Sequence, residues 1–311
     1  MKILVASPEY FPDEILAELK ELGNIDAKKL SHAELMKEIE KYDVILTRIG
    51  IKFDKELLEK AKNLKILATA TTGTDHIDLE YAKERGIQVI SAPGVNAIAT
   101  AEHTFGLILA LIRNTPWAFD AIKNFNFDRS EFLGTELNGK TIGIIGFGRI
   151  GSQVGRYAKS FGMNILTYDP YINKSLADEI GAEIVELDEL LRNSDIITLH
   201  AFASPETENM INYKEFSKMK NTAFLINVAR GSLVNEDAFL DALENKKIQG
   251  TAVDVLVEEP PSENNRLIKY SKVNNNLIIT PHIGGSTEEA VYNAASYVVQ
   301  KVKEFLNTQQ L

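Results

Sequence analysis

Cysteine is absent from the 311 residues, which removes disulfides, thiolate metal sites and a cysteine nucleophile together. Basic charge is also scarce: 34 Lys and Arg stand against 44 Asp and Glu, a net charge of −10. Nucleic acid and anionic membrane surfaces both call for a basic face, so neither is expected as a partner. Long apolar runs are missing as well. The longest apolar helix candidate, FGLILALI at 105–112, falls far short of the about 20 residues that a membrane span requires. The amino terminus, MKILVASPEYF, reaches acid and proline too early for a signal-peptide core, so a cytoplasmic protein is expected. Among the five histidines none has an i, i+4 histidine partner, and no metal is expected. No internal repeat is visible, and the short NTQQL tail is the one biased segment.

What is present is an alternation. Short β-rich runs, MKILVAS, YDVILTR, LKILATAT, IQVISAP, TIGIIGFG, NILTYD, DIITLH, AFLINVA, IQGTAVDV and NLIITPH, are separated by amphipathic segments. Buried strands alternating with helices make an α/β protein with mainly parallel sheets, and the length suits two domains. Residues 98–139 part the two groups of strands. They read as a long helix, ATAEHTFGLILALIRN, apolar nearly all round in its second half, followed by a polar, irregular stretch.

The second group opens with TIGIIGFGRIGSQVGRYAKSFG, in which Gly146, Gly148 and Gly151 form GxGxxG. Alone the motif is weak, since glycines also mark ordinary turns. Directly after a β run and opening a helical pattern, it predicts a dinucleotide site. Gly146 permits the tight turn, Gly148 lets a pyrophosphate approach the backbone, and Gly151 lets helix and strand pack closely. The next strand run, NILTYD, ends at Asp169, whose carboxylate can hold a ribose and repel an extra phosphate. With no Arg among Tyr168 to Tyr171, NAD rather than NADP is the expected cofactor. The blander reading makes Asp169 a turn cap.

Hydride transfer to a 2-keto acid also needs a cation for the carboxylate and a proton donor for the oxygen. Arg230 follows AFLINVA, Glu258 and Glu259 follow IQGTAVDV, and His282 follows NLIIT; such carboxyl ends of parallel strands line the ligand crevice. Composition alone does not choose between the two glutamates. Elsewhere an exposed salt bridge is the ordinary fate of a loop arginine.

GFGRIG, VARGSLV, DVLVEEP and TPHIGGST stand in the order and roughly the spacing of the D-isomer-specific 2-hydroxyacid dehydrogenases, which the chain resembles over nearly its whole length. TTGTDHIDLEYAKERGI, APGVN, TAEHTFGLILAL and EFLGTELNGKT extend the resemblance, which is strongest to the phosphoglycerate dehydrogenase branch. It implies two Rossmann-like or flavodoxin-like domains with a cleft between them. The substrate-binding domain would comprise 1–97 plus 286–311 and the NAD-binding domain 98–285. It places the substrate arginine on Arg230, the histidine-pairing acid on Glu259 and the acid/base histidine on His282. Cofactor contacts fall on Gly146, Gly148, Arg149, Ile150, Gly151, Asp169, Val228, Ala229, Arg230, Asp254, His282, Gly284 and Gly285. Substrate contacts fall on Thr72, Gly73 and Thr74, through their backbone N–H groups, and on Arg230 and Arg48.

The implied activity is interconversion of a D-2-hydroxy acid with its 2-keto acid, in first place D-3-phosphoglycerate and 3-phosphohydroxypyruvate in serine biosynthesis. Glyoxylate or hydroxypyruvate reduction is the enzymatic alternative, and an NAD-sensing binding protein the alternative of another class. A homodimer is implied through residues 101–114 and the last helix. No regulatory domain is expected after residue 311. Of the other histidines, His32 is expected to be solvated, His103 packed with one hydrogen bond, His200 non-catalytic, and His76 a loop residue able to approach the substrate. Phe202 stands where the family carries proline, so no cofactor contact is expected at 201–204.

Overall fold

The computed structural model describes residues 1–308. The three that end the NTQQL tail, and with them the end of the 286–311 segment, lie outside the described residues. The chain divides into two compact units, Met1–Asn96 together with the chain from Gly285 onward, and Ala97–Gly284.

The first unit is built on five parallel strands, β1 (Lys2–Val5), β2 (Asn24–Ala27), β3 (Val44–Thr47), β4 (Ile66–Thr69) and β5 (Gln88–Ile90), in the order β2-β1-β3-β4-β5. That is the flavodoxin-like order. VILT and ILAT are buried at every position, as a sheet covered on both faces requires. One face carries Leu4, Ile45 and Leu67 against Leu35, Leu57 and Leu58. The other carries Ile3, Val5, Ile66 and Ala68 against the helix Glu288–Thr308. Ala290, Ala294, Ala295, Val298, Val299 and Val302 recur on one stripe of that helix and are its buried residues.

The second unit holds seven parallel strands: β6 (Thr141–Ile145), β7 (Asn164–Tyr168), β8 (Glu183–Ile184), β9 (Ile196–Leu199), β10 (Phe224–Asn227), β11 (Gly250–Val253) and β12 (Leu277–Ile279). Their order, β12-β11-β10-β9-β6-β7-β8, is the doubly wound dinucleotide-binding arrangement with one strand added. The winding reverses between β6 and β9, and in such sheets the ligand crevice lies beyond the carboxyl ends at that point. The helix Ala97–Ile112 packs its Phe105 edge-on against Tyr157 of the helix Arg149–Ser160.

Residues 113–139 are more regular than their composition predicts. Asn114 takes a left-handed φ of 56° and breaks the first helix, and Pro116 starts a second, Thr115–Lys123. Phe119, Phe125, Phe127 and Leu133 lie exposed along this stretch, Phe125 at 95 %.

Candidate active site and cofactor loop

β6 delivers the chain to Gly146, whose φ of 88° suits glycine and whose N–H donates to the Tyr168 carbonyl at 2.9 Å. A Cβ there would lie 2.6 Å from the Ala201 nitrogen, so the turn is pressed against the chain leaving β9, at the switch point. A Cβ on Gly151 would sit 2.0 Å from the Gly146 carbonyl oxygen, which is how closely the helix Arg149–Ser160 approaches the turn. Gly148, the N-cap of that helix, differs: a Cβ on it would meet no protein atom within 4 Å. The helix start, with Arg149 and Ile150 in its first turn, therefore presents bare backbone N–H groups and the positive end of the helix dipole, as a pyrophosphate needs. Asp169 follows β7. Its Oδ2 accepts from the Phe147 N–H and its Oδ1 from the Tyr171 N–H, both at 2.8 Å. The residue thus does cap a turn, and each oxygen keeps a lone pair for a ribose hydroxyl. These residues fit a bound NAD.

Beyond β10 the turn Val228–Ala229–Arg230 is pinned by Asn227, only 2 % exposed, which accepts from the Ala229 N–H at 3.0 Å and donates to the Arg230 carbonyl at 2.9 Å. Asn227 escaped the sequence reading, although an amide inside an apolar strand was a visible signal. Arg230 Nη1 donates to the Ala229 carbonyl at 2.7 Å. A Cβ on Gly231 would lie 2.1 Å from the Leu256 carbonyl carbon, so this turn abuts the loop that carries the glutamates.

In that loop Glu259 is the acid that meets the histidine. Its Oε1 accepts from the Leu256 N–H at 2.8 Å, and its Oε2 lies 2.6 Å from His282 Nδ1. The hydrogen bond from Glu259, with its negative charge, holds the His282 pKa above its usual value against the opposing effect of burial and of the Arg230 charge. Burial pushes the Glu259 carboxyl up, but its bonds to His282 and the Leu256 amide, with the Arg230 charge, leave it below the usual range. Nδ1 faces the carboxylate, so the ring presents Nε2 for proton transfer.

The backbone of His282 is itself unusual, with φ at 53°. Asp254, 1 % exposed, explains how it is held. Its carbonyl accepts from the His282 N–H at 2.9 Å, Oδ1 accepts from the Ile283 N–H at 2.9 Å, and Oδ2 accepts from the Gly284 N–H at 2.7 Å. Thr280 donates to Oδ1 at 2.5 Å and His103 Nε2 lies 3.2 Å from the same oxygen. His103 thus makes the polar contact expected of it, and that contact reaches the acid that shapes the histidine loop. Burial pushes the Asp254 carboxyl up, and these donors, His103 foremost, bring it below the usual range.

In the first unit Arg48 is 9 % exposed rather than a surface arginine. Its guanidinium stacks on Tyr10 at 4.4 Å from the ring centre, and Nη2 donates to the Gly285 carbonyl at 3.1 Å. No acidic side chain pairs with it among the described residues, and burial lowers its pKa. Tyr10 was not legible as a site residue. The Thr72 hydroxyl is tied to the Ala92 carbonyl at 3.1 Å and to Asn96 at 2.8 Å. The amides of Thr72, Gly73 and Thr74 donate to no protein acceptor among the described residues, leaving three consecutive N–H groups for a ligand.

The remaining histidines separate clearly. His32 lies 3.3 Å from Asp54. His200 is half-buried with Nε2 2.9 Å from the Thr198 hydroxyl, and desolvation of its ring pushes its pKa down to about 3. Phe202 is 84 % exposed on a loop closed by Thr207, which donates to the Phe202 carbonyl at 2.7 Å. Among the described residues no cluster of acids and histidines fits a metal, and no helix is long and apolar enough to cross a membrane.

Residues 105–284 match the family described as D-isomer specific 2-hydroxyacid dehydrogenase, NAD binding domain. The chain belongs to this family. Among dehydrogenases of this kind, D-3-phosphoglycerate dehydrogenase of Methanocaldococcus jannaschii is 43 % identical over 308 residues, 98 % of this chain and 57 % of that protein. The chain therefore spans little more than half the length of that relative. Hydroxypyruvate reductase of Thermotoga maritima is 38 % identical over 283 residues, 91 % of each chain. Among solved structures, D-lactate dehydrogenase from Aquifex aeolicus, complexed with NAD and lactic acid, superposes with a TM-score of 0.89 at 35 % identity, covering 99 % of this chain and 96 % of that one. The dehydrogenase family's NAD-binding domain is thus the second unit's seven-stranded sheet.

Proposed function

We propose that this chain is an NAD-dependent D-2-hydroxyacid dehydrogenase that interconverts D-3-phosphoglycerate and 3-phosphohydroxypyruvate. The observation that carries the reaction is His282 Nδ1 at 2.6 Å from Glu259, with the Arg230 charge acting on both. NAD, when bound, supplies the hydride chemistry. The residues of the chain bind, orient and move the proton. Arg230 holds the substrate carboxylate by charge-assisted hydrogen bonds, and the Thr72–Gly73–Thr74 amides are the first unit's substrate contacts. His282 Nε2 gives its proton to the carbonyl oxygen during reduction and takes it from the hydroxyl during oxidation. Glu259 keeps the imidazole charged and oriented. Asp169 holds the ribose and Gly146 to Gly151 the pyrophosphate, with Val228, Ala229, Asp254, Gly284 and Gly285 completing the cofactor contacts.

The phosphorylated substrate is favoured by Arg48, a buried guanidinium with no acidic partner among the described residues, which suits a second anion on the ligand. The similarity to hydroxypyruvate reductase supports the unphosphorylated alternative. NADH oxidation against phosphohydroxypyruvate, hydroxypyruvate, glyoxylate, pyruvate and 2-oxoglutarate separates these readings, and no turnover with any of them leaves the NAD-sensing alternative. Arg48→Ala is expected to raise KM for phosphohydroxypyruvate by about tenfold or more and to spare hydroxypyruvate; an unchanged KM removes Arg48 from the site. A homodimer in the cytoplasm, working in serine biosynthesis, completes the proposal; the exposed Phe119, Phe125, Phe127 and Leu133 support the dimer.

A further inference from the structure

His76, a loop residue that its sequence context lets approach the substrate, is tied by a hydrogen bond to the end of β4 in the first unit. Its Nε2 lies 3.1 Å from the Thr69 hydroxyl at the end of β4. The Thr69 hydroxyl lies 2.8 Å from the Thr71 hydroxyl and 3.1 Å from the Arg48 carbonyl, and the Thr71 hydroxyl lies 2.7 Å from the Gly73 carbonyl. Each hydroxyl has one proton to give, and a carbonyl can only accept. Thr71 must therefore donate to Gly73. The single Thr69 proton is then shared between the Thr71 oxygen and the Arg48 carbonyl in a three-centre bond, which leaves a Thr69 lone pair to be filled from His76. With a proton on His76 Nε2, each of these contacts has a donor. The alternative ring tautomer would draw the Thr69 proton to itself and leave the Arg48 carbonyl and Thr71 oxygen without it.

The backbone around His76 is fixed: its carbonyl accepts from the Phe53 N–H at 2.7 Å, and the Ile77 N–H donates to Thr74 at 2.9 Å. We propose that His76 is a positioning residue, whose Nε2–H, relayed through the Thr69 and Thr71 hydroxyls, sets the Gly73 carbonyl and thereby aims the Thr72–Gly73–Thr74 amides. The second branch of the relay steadies the backbone of Arg48. One imidazole thus orders both substrate-side elements of this unit, a proposal that rests on the dehydrogenase reading above.

The test pairs variants that remove a hydrogen-bonding group with variants that keep it. His76→Leu and Thr69→Val are each expected to raise KM for the keto acid about three- to tenfold, with kcat within about twofold and NADH affinity, read by fluorescence, unchanged. The double variant is expected to be no worse than the more affected single one, because both break the same relay. His76→Gln, whose amide can donate from a similar place, and Thr69→Ser are expected to restore most of the KM. Additive losses, a loss confined to kcat, or a His76→Leu enzyme like the parent overturns the proposal. In the ligand-free protein, imidazole nitrogen NMR is expected to show the proton on Nε2; a proton on Nδ1 alone also overturns it. A parent that reduces no 2-keto acid refutes the dehydrogenase reading and the substrate role with it, while the NMR result still decides the relay itself.

Discussion

Replacing Glu259 by Gln probes the proton-handling pair with little change of shape. The amide keeps an oxygen for the Leu256 N–H but loses the charge that faces His282 Nδ1 at 2.6 Å. A charge-assisted hydrogen bond contributes about 1.5–3 kcal/mol. The two side chains are 48 % and 35 % exposed, so water screens the pair and the lower end of that range applies. In the parent the carboxylate raises the histidine pKa, so the imidazolium persists to higher pH. Reduction of a keto acid uses that proton and must fall as pH climbs through the histidine pKa. In Glu259→Gln the fall should come at lower pH, leaving the variant up to about tenfold slower above it and closer to the parent on the acid side. NADH oxidation under saturating substrate, followed from about pH 5 to about pH 9, reads this directly. A profile that drops by the same factor at every pH, with no displaced limb, would show that Glu259 acts only through its bond to Leu256 and would refute the pairing argument.

The cofactor loop gives a contrasting pair. Gly148→Ala should melt at nearly the parent temperature yet bind NADH poorly, because its Cβ meets no protein atom within 4 Å; Gly151→Ala, with a Cβ 2.0 Å from a carbonyl oxygen, should lose about 1–3 kcal/mol of stability in denaturant titration. Asp169→Ala should raise the NADPH to NADH ratio of kcat/KM about tenfold by removing a carboxylate that repels the extra phosphate, and an unchanged ratio would take Asp169 away from the ribose. Sedimentation should find a dimer that Phe127→Asp with Leu133→Asp weakens; a concentration-independent monomer in the parent contradicts the proposed assembly.

Much of the architecture was legible because parallel strands buried on both faces are written as plain apolar runs. The two strands that the runs missed, β2 and β8, are the polar margins of their sheets: NIDA has no fully buried residue, and Glu183–Ile184 is exposed at both positions. An edge strand with one neighbour and a wet face leaves little apolar trace. The helix Thr115–Lys123 was hidden for a related reason, since none of its residues is buried in the isolated chain. Within the site, the glycine turn and the four residues Arg230, Asp254, Glu259 and His282 could be found from motif order and strand ends. The choice of Glu259 over Glu258 needed the resemblance, and geometry then set its carboxylate on the imidazole. Tyr10, Asn227 and His103 could not be assigned, because each works through a contact with residues distant in the chain. Arg48 shows the same limit: sequence cannot tell a solvated arginine from one sealed beneath a tyrosine.

The left-handed backbone of His282 narrows the experiments that can be done on it. A φ of 53° is tolerated by Gly, Asn, Asp and His but costs most other side chains about 1–2 kcal/mol. Exchanging the imidazole for alanine therefore disturbs two things together, the proton donor and the course of the chain over Asp254. His282→Asn removes the proton chemistry while staying at ease in the same conformation, and so isolates the acid. The same constraint limits what could arise here by single substitutions: a Lys or Tyr donor at this position would have to carry the cost of a backbone neither prefers.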